Sequence, residues 1–237
     1  MTTLARCLLG GLAALLASCT TIRPTLSAEQ LGAPPARFSN AALDVVLTRY
    51  VDDRGLVDYA GLAAHRGALD RYYDLIAAYS PDATPPLFPT RDDALAYWIN
   101  AYNAAVLRTV LEYYPIASVG DVDWWLPSKA GFFVLQRLTF GGVTTNLYDL
   151  ENTVVRERYR DPRVRFALNC ASRGCPHLPR YAFGGDVLDV QLDQAARRFV
   201  AEERNVRIDH DARRVYLSSI FNWYRADFGG DLLAYIA

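Results

Sequence analysis

Histidine is scarce in this 237-residue chain, which holds only His65, His177 and His210. That scarcity thins the supply of general bases and of nitrogen ligands for a metal. Cysteine is nearly as sparse, at four residues: Cys7, Cys19, Cys170 and Cys175. Basic blocks are missing too. The formal net charge is -1 and the arginines are spread along the chain, so nucleic-acid binding has no electrostatic footprint.

The N-terminus carries what looks like an export signal. Arg6 gives a positive start, Leu8 to Leu16 is an apolar run, and Leu16-Ala17-Ser18-Cys19 closes it. A bilayer-spanning helix needs about 20 apolar residues, so this run is too short to be one, and the small residues before Cys19 suit a cleavage site. The segment 1–19 resembles a bacterial lipoprotein signal whose Cys19 is lipidated; an ordinary secretory signal cut nearby is the rival. Thr20 stands where inner-membrane lipoproteins usually carry Asp, which favours a lipid anchor on the periplasmic side of the outer membrane. Residues 20–38, rich in Thr, Pro, Ala and Gly without periodicity, read as a flexible tether.

Residues 39–237 are enough for one domain with a proper core. Asn40 is a candidate N-cap for an amphipathic helix, and a second helix is expected from about Val57 to Ala78. Four prolines between Ser80 and Thr90 exclude helix interior there. Thr90 then caps a long helix that Pro115 stops. From Phe132 to Thr145 the pattern alternates around Gly141-Gly142, a β-hairpin signature. Leu147 to Tyr159 reads as helix, Arg163 to Leu168 as a short strand, and Asp186 to Glu203 as an amphipathic helix. Val206 to Ile208 and Arg214 to Leu217 read as strands joined by a polar turn, and Ser218 caps a last helix. The expected fold is α+β: a single domain in which N-terminal helices pack with a small antiparallel sheet and C-terminal helices.

A set of ordered motifs then carries a resemblance. Tyr97 to Ala104 (YWINAYNA), Asp149-Leu150-Glu151-Asn152 with Arg156, Asp161-Pro162-Arg163, Phe166 to Ser172 (FALNCAS) with Cys175-Pro176, and Trp223-Tyr224 with Asp227-Phe228 together resemble the family called domain of unknown function 547. The likeness runs from about Asp44 to Phe228 and implies no settled activity. Many relatives carry His where this chain has Asn152 and Arg165, so two candidate bases are absent.

Cys170 and Cys175 are the thiols left once Cys7 leaves with the signal and Cys19 takes the lipid. In an oxidising compartment a structural disulfide is the leading account. A thiol hydrolase or acyl transferase acting on an amide or peptide-like substrate would use Cys170 as nucleophile, with His177, Glu151 or Asn100 as helpers. A labile redox dithiol is disfavoured by the four-residue gap, and zinc by the shortage of ligands. No cofactor is implied.

Asn100 and Asn103 share one helix face, where buried amides must find partners; tying the helix to the Cys-loop backbone is favoured over substrate binding. Glu151 and Arg156 suggest a buried ion pair holding a helix in register, although a perturbed Glu in a cleft would suit a general acid. Trp124-Trp125 and Trp223-Tyr224 are expected to pack in the core or a lid rather than form a sugar platform. The leading reading is a binding or scaffolding lipoprotein of the envelope stapled by Cys170-Cys175, with the cysteine enzyme as the alternative.

Overall fold

The computed structural model describes residues 20–123, 126, 129–229 and 231–236. The signal segment with Cys19 and the Trp124-Trp125 pair lie outside the described residues. The fold is built around one helix, α5 (Arg91–Tyr113), which follows α1 (Ala28–Leu31), α2 (Ala41–Tyr50), α3 (Tyr59–Ala64) and α4 (Gly67–Ala78). Thr90 starts α5 as the sequence suggests: its hydroxyl accepts from the Asp93 amide at 2.9 Å while the Asp93 carboxylate accepts from the Thr90 amide at 3.1 Å. Every residue from Leu95 to Leu111 is buried, so α5 is covered on all sides. That explains a sequence apolar well beyond one stripe.

The expected helix from Val57 to Ala78 is two helices, broken at His65 and Arg66. Asn40 occupies the N-cap position of α2 but makes no capping bond. Its side chain is used elsewhere, donating to the Phe183 carbonyl at 3.2 Å and accepting from the Tyr72 hydroxyl at 2.8 Å.

The hairpin is shorter than its alternating pattern. Ala130–Phe133 forms α6, and only β1 (Leu138–Phe140) and β2 (Val143–Thr145) pair. Gly141 and Gly142 both have positive φ, as a tight two-residue hairpin turn requires. Their amides donate to the carbonyls of Ile76 and Ala77, at 2.9 and 2.8 Å, docking the turn on the end of α4. A second hairpin, β3 (Val206–Asp209) with β4 (Arg214–Leu217), forms its own two-stranded sheet. The class is α+β as expected, with the strands in two separate antiparallel ribbons.

One expectation is narrowed and one corrected. The segment 20–38 is docked near its start, whereas most of residues 26–37 are exposed. Ile22 is buried, its amide donates to the Arg137 carbonyl at 2.8 Å, and the buried Asp74 carboxylate accepts from both the amide and the hydroxyl of Thr25 at 2.6 Å. Three hydrogen bonds there, to Arg137 and Asp74, replace the freedom of a tether. Residues 163–168 are not a strand either: Pro162–Phe166 is a 3-10 helix begun by Asp161, whose carboxylate accepts from the Arg163 amide at 3.0 Å. Asp followed by Pro is a helix-start signal, and it outweighs the local alternation.

Helix α9 (Leu188–Ala201) packs on that 3-10 turn, where Arg163 reaches Asp161, Asp189 and Asp193 at 2.6 to 2.8 Å. Helices α10 (Ser219–Trp223) and α11 (Leu232–Ile236) close a smaller aromatic core of Phe166, Phe199, Phe221 and Phe228. Ser218 caps α10 through the Ile220 amide. Trp223 is 69% exposed, contrary to the expected core or lid packing, whereas Tyr224 is half-buried.

Candidate functional site

Between α5 and the Cys loop the chain makes direct use of its two helix asparagines. Asn103 Nδ2 donates to the Ala167 carbonyl and its Oδ1 accepts from the Asn169 amide, both at 2.9 Å. Asn100, one turn away, does the same for a different strand of backbone, donating to and accepting from Phe183 at 2.8 and 2.9 Å. Both amides therefore have a donor and an acceptor bond inside the protein.

Asn169 continues the chain of contacts. Its Oδ1 accepts from the Ala171 amide and its Nδ2 donates to the Pro176 carbonyl, closing the loop on itself at 2.9 and 2.8 Å. Inside this loop Cys170 and Cys175 are disulfide-bonded, with Cα atoms 5.9 Å apart. Cys170 is half-buried and Cys175 is buried.

His177 is turned to another task. Its Nε2 donates to the carbonyl of Asp53 at 3.1 Å, and burial depresses its pKa. Since a carbonyl only accepts, the neutral ring carries its proton on Nε2. The ring also lies against Gly55, at φ +74, where an added Cβ would meet it at 2.7 Å. Cys175, not Cys170, shares a cleft with His177. His65 and His210 are exposed.

The richest constellation lies on the other side of the 3-10 turn. Leu147–Asp149 forms α7 and Glu157–Tyr159 forms α8, and between them Leu150–Arg156 is a π-helical segment, a widening often found where side chains are aimed at a site. It presents Glu151 and Arg156. The expected pairing of these two is replaced by a crossed one: Glu151 pairs with Arg165 at 2.6 Å, and Arg156 with Asp227 at 2.8 Å. Arg165 completes the chain by reaching Asp227 at 2.8 Å. Tyr224 and Tyr102 donate to the two oxygens of Glu151 at 2.8 and 3.2 Å.

Electrostatics follow from these contacts. Burial works against the charged form of Asp227, but the hydrogen bonds and charges of Arg156 and Arg165 outweigh it and hold its carboxyl below the usual range. The Arg156 guanidinium is held above its ordinary value by its bond to Asp227. Burial, then the Glu151 charge, pushes the Tyr102 and Tyr224 hydroxyls well up, so both remain donors.

This network forms one wall of a cavity of about 630 Å³, completed by Glu157, Arg160 and Asp161 among others. Three arginines and four carboxylates line it. Sequence patterns alone do not mark Arg165, Asp227 or the tyrosines for chemistry. Arg165 was visible there only as a missing histidine, and Asp227 only as part of a motif. Among the described residues no three His, Cys, Asp or Glu side chains converge as a metal site would require, and no helix is long and apolar enough to cross a membrane.

No curated protein and no solved structure matches the chain. Residues 88–200, which contain α5, the π segment, the 3-10 turn and the disulfide loop, match the model of the family described as "Protein of unknown function, DUF547", and this supports the family reading of the motifs.

Proposed function

We propose that this is a ligand-binding lipoprotein domain, held by a lipid on Cys19 at the periplasmic face of the outer membrane, and that its ligand sits in the cavity beside Glu151, Arg165 and Asp227. The observation that carries the reading is the fixed alternation of charge on that wall. Arg165 is held by two carboxylates and a tyrosine ring, while the Arg156 side chain, 39% exposed, keeps one side on Asp227 and the other open. Such an array is organised before any ligand arrives, which lowers the ordering cost of binding. Interleaved Arg156, Arg160, Glu157 and Asp161 complement a molecule that carries both an ammonium and a carboxylate, as short peptides do.

The rival reading, a cysteine hydrolase or acyl transferase, needs Cys170 as a thiolate. Its sulfur is bonded to Cys175, and His177 spends its Nε2 proton on Asp53. Both facts favour binding over catalysis.

Calorimetric titration of the oxidised mature domain with tetraglycine, a zwitterion, and with N-acetylglucosamine tests the ligand class. Saturable binding of tetraglycine, weakened in Arg156→Gln, is expected; binding of the sugar alone would overturn it. The address is tested separately by fractionating Cys19→Ser, which should leave the membrane or accumulate as precursor.

A further inference from the structure

A second cleft, of about 600 Å³, opens beside the disulfide loop. Its walls come from three distant parts of the chain: Arg54 after α2, Arg173 in the loop, and Arg198 and Arg204 at the end of α9. Four arginines and one carboxylate, Glu202, line it, in a protein whose formal net charge is -1. Local imbalance of this kind concentrates anions.

The existing partners of these cations leave much of that charge unmet. Arg204 pairs with Glu202 at 2.6 Å and also donates to the Arg173 carbonyl. Arg198 donates to the Asp53 carbonyl at 2.6 Å and lies 3.9 Å from the same Glu202. Among the described residues Arg54 pairs only with Asp52 of its own turn, and its side chain is 78% exposed. Among the described residues, Arg173 has no carboxylate partner. Basic side chains at the end of α9 complement the carbonyl end of that helix, but Arg54 and Arg173 belong to other segments and have no such duty. Their convergence on one concavity needs another explanation.

We propose that this cleft binds a small molecule carrying two or more anionic oxygen groups, phosphate or carboxylate. Planar guanidinium forks match both groups in bidentate fashion, and the volume is that of a small-ligand pocket rather than of a flat contact. The site is separate from the cavity at Glu151 and does not depend on it.

Calorimetry on the oxidised mature domain, with inorganic pyrophosphate, citrate, and phosphatidylcholine vesicles with or without phosphatidylglycerol, tests this. Saturable binding of pyrophosphate or citrate is expected, with whichever binds assigning phosphate or carboxylate. Arg54→Gln combined with Arg173→Gln should weaken it at least tenfold, whereas Arg156→Gln in the other cavity should leave it unchanged. Both replaced arginines are exposed, and an unchanged circular dichroism spectrum and melting temperature would verify folding. Binding of neither anion, an equal loss in the distant Arg37→Gln, or binding only to the anionic vesicles would overturn the proposal.

Discussion

The ring of Tyr224 covers the guanidinium of Arg165, with 3.6 Å between the guanidinium carbon and the ring centroid. The edge of the same cation is taken by Glu151 and Asp227. Face and edge are thus both used, and the Arg165 side chain is only 4% exposed. A buried cation held in this way costs little while its partners remain and much once one is removed.

Arg165→Met tests that asymmetry. It leaves the largely buried Glu151 carboxylate without a cation and Asp227 with Arg156 alone, and the loss should be about 3–5 kcal/mol in urea unfolding. Adding Glu151→Gln to the same chain should recover part of it. A single-variant loss below about 1 kcal/mol would show that the network is not cohesive.

Acid should act through Asp227. Its folded-state pKa is depressed, so its contribution to stability is complete above the unfolded value, about 3.9, and disappears as pH falls through the lower folded value. Unfolding of wild type and Asp227→Asn at pH 7, 5 and 3 should therefore show a gap that is widest at pH 7 and 5 and narrows at pH 3. A gap that grows on acidification would contradict the sign.

The disulfide closes a short loop, five residues apart in sequence. Loop-closure entropy for so few residues is worth about 2 kcal/mol. Cys175→Ala should lose roughly that amount, and the unreduced wild type should show no alkylatable thiol at 170 or 175 by mass spectrometry. Full alkylation of both without reductant would mean that the bond does not form.

Asn103→Leu should strand the Ala167 carbonyl and the Asn169 amide together. Each buried group left without a partner costs about 1–3 kcal/mol, so the loss should approach that of a core truncation. Hydrogen exchange at the Asn169 amide should accelerate more than exchange in the middle of α5. Uniform acceleration across the domain would indicate only global destabilisation.

Local chemistry made some of this legible. Thr90 with Asp93, and Gly141-Gly142 between alternating residues, mark their elements because the stabilising contacts lie within three residues of each other. Asn103 was also readable, since a buried amide on an apolar helix must bond something nearby. Arg165 was not. Its partners lie 14 and 62 residues away, and no window of sequence distinguishes a cation destined for two carboxylates from one destined for water. Asn40 failed as a cap for the same reason, because Phe183 and Tyr72 compete for it from afar. The strand expected at 163–168 fails for the opposite reason: its local alternation is outweighed by the Asp161-Pro162 signal beside it.

The Phe183 carbonyl accepts from Asn40 and Asn100 together, 143 and 83 residues away in sequence. A ribosome delivers the N-terminal side first, so α2 and α5 emerge long before the residue that joins them exists. During that interval the apolar surface of α5 has no cover from the later half of the chain. Contacts of such long range slow folding and prolong exposure to aggregation.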